Sequence, residues 1–75
     1  MNIGRIARMD KRELNKELSL TAEKMRQLRN RRPAECRKLK QYELKLKQAL
    51  SLRNVYEYSL MSEDTMAATI GYLLG

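Results

Sequence analysis

Basic side chains are the residues of this sequence whose chemistry and placement stand out. All sixteen Lys and Arg residues lie between Arg5 and Arg53, where only six of the nine acidic residues are found, so residues 1–53 carry a net charge of +10. Residues 54–75 contain three acids and no base, which gives them a charge of −3. A positive field concentrated in this way attracts polyanions and speeds encounters with them. The charge distribution predicts an anionic partner.

The residue types that support catalysis are scarce. The chain has no His and one Cys, so it offers no set of ligands for a zinc site. No nucleophile with an adjacent base and no Gly-rich phosphate loop can be assembled from the remaining residues. We therefore expect a binding protein rather than an enzyme, without a metal or another cofactor.

The size and the apolar residues favour helices. Seventy-five residues make one small domain, and with no Phe or Trp the core has to come from Leu, Ile, Met and Ala. No segment alternates over the length that a strand needs. The sequence predicts an all-α fold, a small bundle of three to four helices that contains a helix-turn-helix-like pair.

Two terminal features bear on location. The N-terminus lacks the apolar run of a signal peptide, and the apolar tail, residues 65–75, is shorter than the roughly 20 residues that span a bilayer. We expect a cytoplasmic protein without a membrane partner, in the host cytoplasm if a phage encodes it.

Capping residues and Pro33 divide the chain into predicted helices. Asp10, with Glu13 three residues later, begins a first helix over 11–18, and Thr21 begins a second that ends near Arg32. Pro33 suits the start of a third helix, over about 34–53, and Ser62 caps a last one. Three regions result: a basic N-terminal arm (1–9), a basic helical core of DNA-binding type (10–54) and an acidic-apolar C-terminal helix (55–75).

The apolar spacing within residues 12–33 is typical of two short helices that share a small core. Leu14 and Leu18 face inward from the first helix, Leu20 fills the turn, and Met25 and Leu28 return inward from the second. With Asn15, Ser19 and Thr21 at the matching places, this stretch resembles the helix-turn-helix of phage and bacterial regulators of the Cro/repressor class. Asn15 and Ser19 depart from the Ala and Gly usual in that class.

The resemblance implies a sequence-specific DNA-binding regulator of transcription. The second helix would lie in a major groove of duplex DNA, where Arg pairs with guanine and Gln or Asn with adenine. Some side chains would contact bases and others phosphates. The implied DNA-binding residues are Thr21, Glu23, Lys24, Arg26, Gln27, Arg29, Asn30, Arg31 and Arg32. Arg5 and Arg8 of the arm would reach an adjacent minor groove.

Three other interpretations remain open. The basic run 24–32 is also compatible with a solvated face of a helical hairpin. The chain is similar, more weakly, to small phage-encoded regulators that bind RNA polymerase as inhibitors or antiterminators. A basic two-helix hairpin with a Leu-rich second helix also looks like a small protein of the large ribosomal subunit, which would contact rRNA phosphates.

Apolar residues near the C-terminus predict a protein partner, because an exposed patch of this kind otherwise favours aggregation. The predicted partner-binding residues are Tyr56, Tyr58, Ile70, Tyr72, Leu73 and Leu74. A homodimer is a related expectation, in which this tail or the stripe formed by Leu39, Tyr42 and Leu46 pairs two copies.

Overall fold

Four helices and no strand make up the fold, in a computed structural model that describes residues 2–75. The helices are α1 (Ile3–Arg8), α2 (Lys11–Leu28), α3 (Pro33–Tyr56) and α4 (Glu63–Leu74). The predicted all-α bundle is confirmed. Within residues 2–75, no helix is both long and apolar enough to cross a membrane.

Local signals in the sequence set most helix starts. The Asp10 carboxylate accepts a hydrogen bond from the Glu13 backbone N–H at 2.8 Å, and Ser62 caps α4 in the same way. Pro33 is the first residue of α3, where a missing backbone N–H costs nothing because that group has no partner inside the helix. These three predicted starts are confirmed.

The predicted break between two short helices is wrong: residues 18–21 lie in the interior of α2. No Gly or Pro occurs between Lys11 and Leu28, so nothing in the backbone requires a turn there. Thr21, predicted as a cap, is only 3% exposed. The chain turns instead at residues 29–32, because Pro33 disfavours helical angles at Arg32, whose φ and ψ are −141° and 77°.

A short connection between two long helices produces an antiparallel hairpin of α2 and α3. Leu14 and Leu46 are fully buried, and Tyr42 Oη donates a hydrogen bond to Glu17 Oε2 at 2.9 Å. Burial and the Glu17 carboxylate raise the pKa of Tyr42. The stripe that was expected to pair two copies therefore packs within one chain, against α2.

The segment predicted to be an arm is part of the core, apart from Met1, which lies outside the described residues. Asn2 caps α1, whose Ile6 and Ala7 are each 1% exposed, and α1 packs against α4. Gly71 of α4 lies directly against Ala7. Since α1 is folded onto the protein, it does not extend toward a minor groove.

The bundle is elongated, with extents of 46, 21 and 15 Å. The second half of α3 holds α1 and α4, since Lys45 donates to the Leu74 carbonyl and Arg53 to the Ala7 carbonyl. The other end of the molecule is the α2–α3 hairpin alone.

Substitutions at the exposed Ser19 distinguish one helix from a turn. In an unbroken α2, Ser19→Ala stabilises the protein and Ser19→Gly destabilises it, each by about 0.5 kcal/mol, because of helix propensity. Chemical denaturation monitored by circular dichroism measures the order. A turn with a left-handed residue at this position would reverse it, making the Gly variant the most stable.

Candidate nucleic-acid interface

The end of the α2–α3 hairpin has a net charge as large as that of the whole protein. Residues 24–40, which we call the hairpin tip, contain eight basic residues and one acid, a net charge of +7 that equals the charge of the full chain. The rest of the sequence is therefore neutral in sum. The strongest positive potential is therefore expected at the tip. The molecule is 46 Å long, so the tip is well separated from the opposite end.

Five of the eight basic residues at the tip form no salt bridge with any part of residues 2–75. Arg26 pairs with Glu23, Arg32 with Glu35 at 2.9 Å, and Lys40 with Glu43 at 3.2 Å. The unpaired set is exposed and consists of Lys24, Arg29, Arg31, Arg37 and Lys38. These side chains are free to meet an anion.

The turn and the two helix ends place these cations around the tip rather than along one stripe. Arg29 and Arg31 stand in the connection, whose backbone is fixed by hydrogen bonds from Arg31 and Arg32 to the Leu28 carbonyl at 3.1 and 3.0 Å. Lys24 lies on α2, and Arg37 and Lys38 occupy the first turns of α3. Cations on more than one side of the tip can contact several phosphates of a nucleic-acid backbone at once.

Most of the predicted DNA-binding residues are exposed at the tip or next to it. They are Glu23, Lys24, Arg26, Gln27, Arg29, Asn30, Arg31 and Arg32. Glu23 is engaged by Arg26. Thr21 is an exception that the structure corrects, because a side chain 3% exposed inside the hairpin has no access to a ligand.

The DNA-binding residues implied by the helix-turn-helix resemblance do not include the part of α3 that contributes to this surface. Arg37, Lys38 and Lys40 follow the turn and complete the tip on its second helix. The basic run continues past Pro33 and is a signal for these residues, but the resemblance covers only residues 12–33. In the hairpin, the residues before and after Pro33 lie close together in space. A prediction confined to one helix leaves out the residues after Pro33.

A second charged cluster lies at the opposite end and is internally neutralised. A cleft of about 400 Å³ is lined by Arg53, Glu63, Glu57 and Lys11, among others. The Arg53 guanidinium is 6% exposed and donates to the Ala7 carbonyl at 3.0 Å and to Glu63 Oε1 at 2.7 Å. Lys11 pairs with Glu57. Two of the three cations that line this cleft have acidic partners, and its three bases and three acids balance, so the cleft is a structural network.

The predicted partner-binding tail is divided between core and surface. Ile70 is fully buried and Leu74 is 2% exposed, so both belong to the core and not to a docking surface. Tyr56 is half-buried against that core. Tyr58, Tyr72 and Leu73 are exposed by 89%, 86% and 45%.

The chain matches no protein-family model, no curated protein and no solved structure. Within residues 2–75, no three His, Cys, Asp or Glu side chains converge in a way that could hold a metal ion.

Acid should weaken the fold through two carboxylates. The hydrogen bond from Arg53 lowers the pKa of Glu63, and the one from Lys40 lowers the pKa of Glu43. A lowered folded-state pKa gives stability that is complete above the ordinary value of 4.5 and is lost as the pH falls through the lower folded value. We expect the free energy of unfolding to fall below about pH 4.5, and to fall less steeply in Glu63→Gln.

Urea unfolding between pH 7 and pH 3 measures this effect. Asp64→Asn is the matched control, since it removes one negative charge from the same turn of α4 without breaking a salt bridge. An equal loss of acid sensitivity in both variants would show that the helix terminus is responsible, and not the contact with Arg53.

Proposed function

We propose that this protein binds nucleic acid through the hairpin tip, mainly by contacts with the phosphate backbone. One observation carries the proposal: five exposed cations without acidic partners among residues 2–75 are grouped at one end of the molecule. Duplex DNA remains the predicted ligand, and control of transcription the predicted role.

The free cations support a phosphate ligand in particular. Arginine presents a planar fork of donors that matches phosphate oxygens, and three of the five unpaired residues are Arg29, Arg31 and Arg37. Binding of this kind releases the counterions condensed on the nucleic acid, so its strength depends steeply on salt.

The hairpin also favours backbone contacts over insertion of one recognition helix. Two packed helices have axes about 8–10 Å apart, so together they are far wider than the major groove of B-DNA, which is about 12 Å across. The buried side of α2, with Leu14 and Thr21, is held against α3. Gln27 and Asn30 are exposed beside the arginines and can add contacts with base edges at the margin of this surface.

The hairpin geometry favours a second candidate, binding of structured RNA. An antiparallel pair of long helices, of 18 and 24 residues, is the feature that the ribosomal-type interpretation requires. Phosphate and 2′-hydroxyl contacts dominate the recognition of double-stranded RNA, and a tip rich in arginine can make both. Comparing duplex DNA with duplex RNA of the same sequence separates the two candidates.

Loss of two tip arginines should weaken binding uniformly. We expect the wild-type affinity for duplex DNA to fall steeply with salt, by a slope of roughly −0.9 for each phosphate contacted. In Arg29→Gln/Arg31→Gln the magnitude of that slope should fall by about 2, because two phosphate contacts are lost. Fluorescence anisotropy across a salt series measures both quantities.

The control is Arg8→Gln/Arg12→Gln, which removes the same charge from exposed arginines at the other end of the molecule. Its slope should match that of the wild type. If the control weakens binding as much as the tip variant does, net charge alone is responsible and the tip is not the site. Absence of salt-dependent binding to duplex DNA and duplex RNA would refute the proposed function.

A further inference from the structure

The face of α3 that points away from the core is unusually free of charge for this protein. Gln41, Leu44, Gln48, Ser51 and Val55, which we call the outer stripe, follow one another at spacings of three and four residues and are all exposed. Leu44 is 54% exposed and Val55 67%. Spacings that alternate between three and four keep one seam of a helix against a second helix over several turns.

Lysines border the outer stripe. Lys40 and Lys47 lie along one edge, and both contact Glu43, at 3.2 and 3.6 Å. One carboxylate shared by two ammonium groups leaves that edge positive. The acids of α3 are Glu35, paired with Arg32, and Glu43, which is buried. The outward half of α3 therefore presents apolar and amide side chains with a basic border.

We propose that the outer stripe is a docking site for an amphipathic helix of another protein, one that carries acidic residues beside its apolar seam. Charge complementarity selects this occupant. Glu or Asp at the flanking positions of such a helix would face the lysine border, while its apolar side chains cover Leu44 and Val55.

Neither of the other occupants fits the stripe as well. In a pair formed by two copies of this chain, the lysine border of one outer stripe would face the lysine border of the other, which is unfavourable. A nucleic acid would neutralise the lysines but would leave Leu44 and Val55 without apolar contacts. The inference is independent of the proposed function, since the outer stripe begins after the hairpin tip along α3 and shares with it only Lys40 of the border.

A synthetic helical peptide of about three heptads, with Leu at the seam and Glu at the flanking positions, is the probe. We expect the full chain to bind it, measured by isothermal titration calorimetry. A second peptide of the same composition, with the Leu positions scrambled so that no seam forms, controls for simple attraction to a basic protein. It should bind at least about tenfold more weakly.

The variant Leu44→Asn/Val55→Asn should bind the seam peptide at least about tenfold more weakly than the wild type. Leu20→Asn is the matched control, because Leu20 is 49% exposed on a different helix, and its affinity should not change. Circular dichroism melting checks that all variants are folded. The duplex DNA affinity of the stripe variant should equal that of the wild type, so this proposal and the proposed function fail separately.

Three outcomes would overturn the inference. Equal binding of both peptides would mean attraction by charge alone. Sedimentation showing a dimer that Leu44→Asn/Val55→Asn abolishes would assign the outer stripe to a second copy. Loss of duplex binding in that same variant would assign it to the nucleic acid.

Discussion

The buried side chain of Arg53 is the contact on which the packing of α1 and α4 against α3 depends. It joins α3 to α1 through the Ala7 carbonyl and to α4 through Glu63. A buried charge that loses its partner costs about 3–5 kcal/mol, so α1 and α4 can close over this arginine only because the Ala7 carbonyl and Glu63 accept its hydrogen bonds. The ion pair with Glu63 also neutralises Arg53, the basic residue nearest to the acidic tail in the sequence. The contacts of Arg53 thus hold α1 and α4 on α3 and also neutralise charge at that end of the molecule.

At the opposite end of the molecule no further helix covers the hairpin, and five of the eight cations have no acidic partner within residues 2–75. The hairpin tip has only the seam between α2 and α3, where Met25, Leu28, Cys36 and Leu39 are partly and not fully buried. Repulsion among the clustered cations works against the closed hairpin. A polyanion that binds the tip relieves the repulsion, and a ligand that binds only the folded state stabilises it. In the proposed function, binding of nucleic acid at the tip would therefore stabilise the hairpin end.

Local features of this fold could be predicted from the sequence, and features that depend on distant contacts could not. The caps at Asp10 and Ser62 and the start at Pro33 are decided within a few residues, and all three were correct. The turn at residues 18–21 was wrong because apolar spacing is satisfied equally by two short helices and by one long one. Thr21 also suits an N-cap, and only the absence of Gly and Pro favours one long helix.

The position of α1 and the role of Arg53 required knowledge of tertiary contacts. Ile6 and Ala7 become core residues only once Ile70 and Leu74 lie beside them, more than sixty positions later in the chain. Arg53 follows Leu46 and Ala49 at core spacing, which was a usable signal, but a base at such a place is more often exposed than buried. Of the candidate site, the predicted residues include those of α2 and omit those of α3, because they follow from the helix-turn-helix resemblance, whereas a helical hairpin was only an alternative interpretation.

The single long α2 also changes which chemistry the tip can use. In a helix-turn-helix the N-terminal residues of the recognition helix meet the bases, and the positive end of that helix dipole favours the phosphates. Here the tip combines the C-terminus of α2 with the N-terminus of α3. The two helix dipoles oppose each other and largely cancel. The field at the tip therefore comes from its lysines and arginines, and in the proposed function recognition would follow from their number and placement.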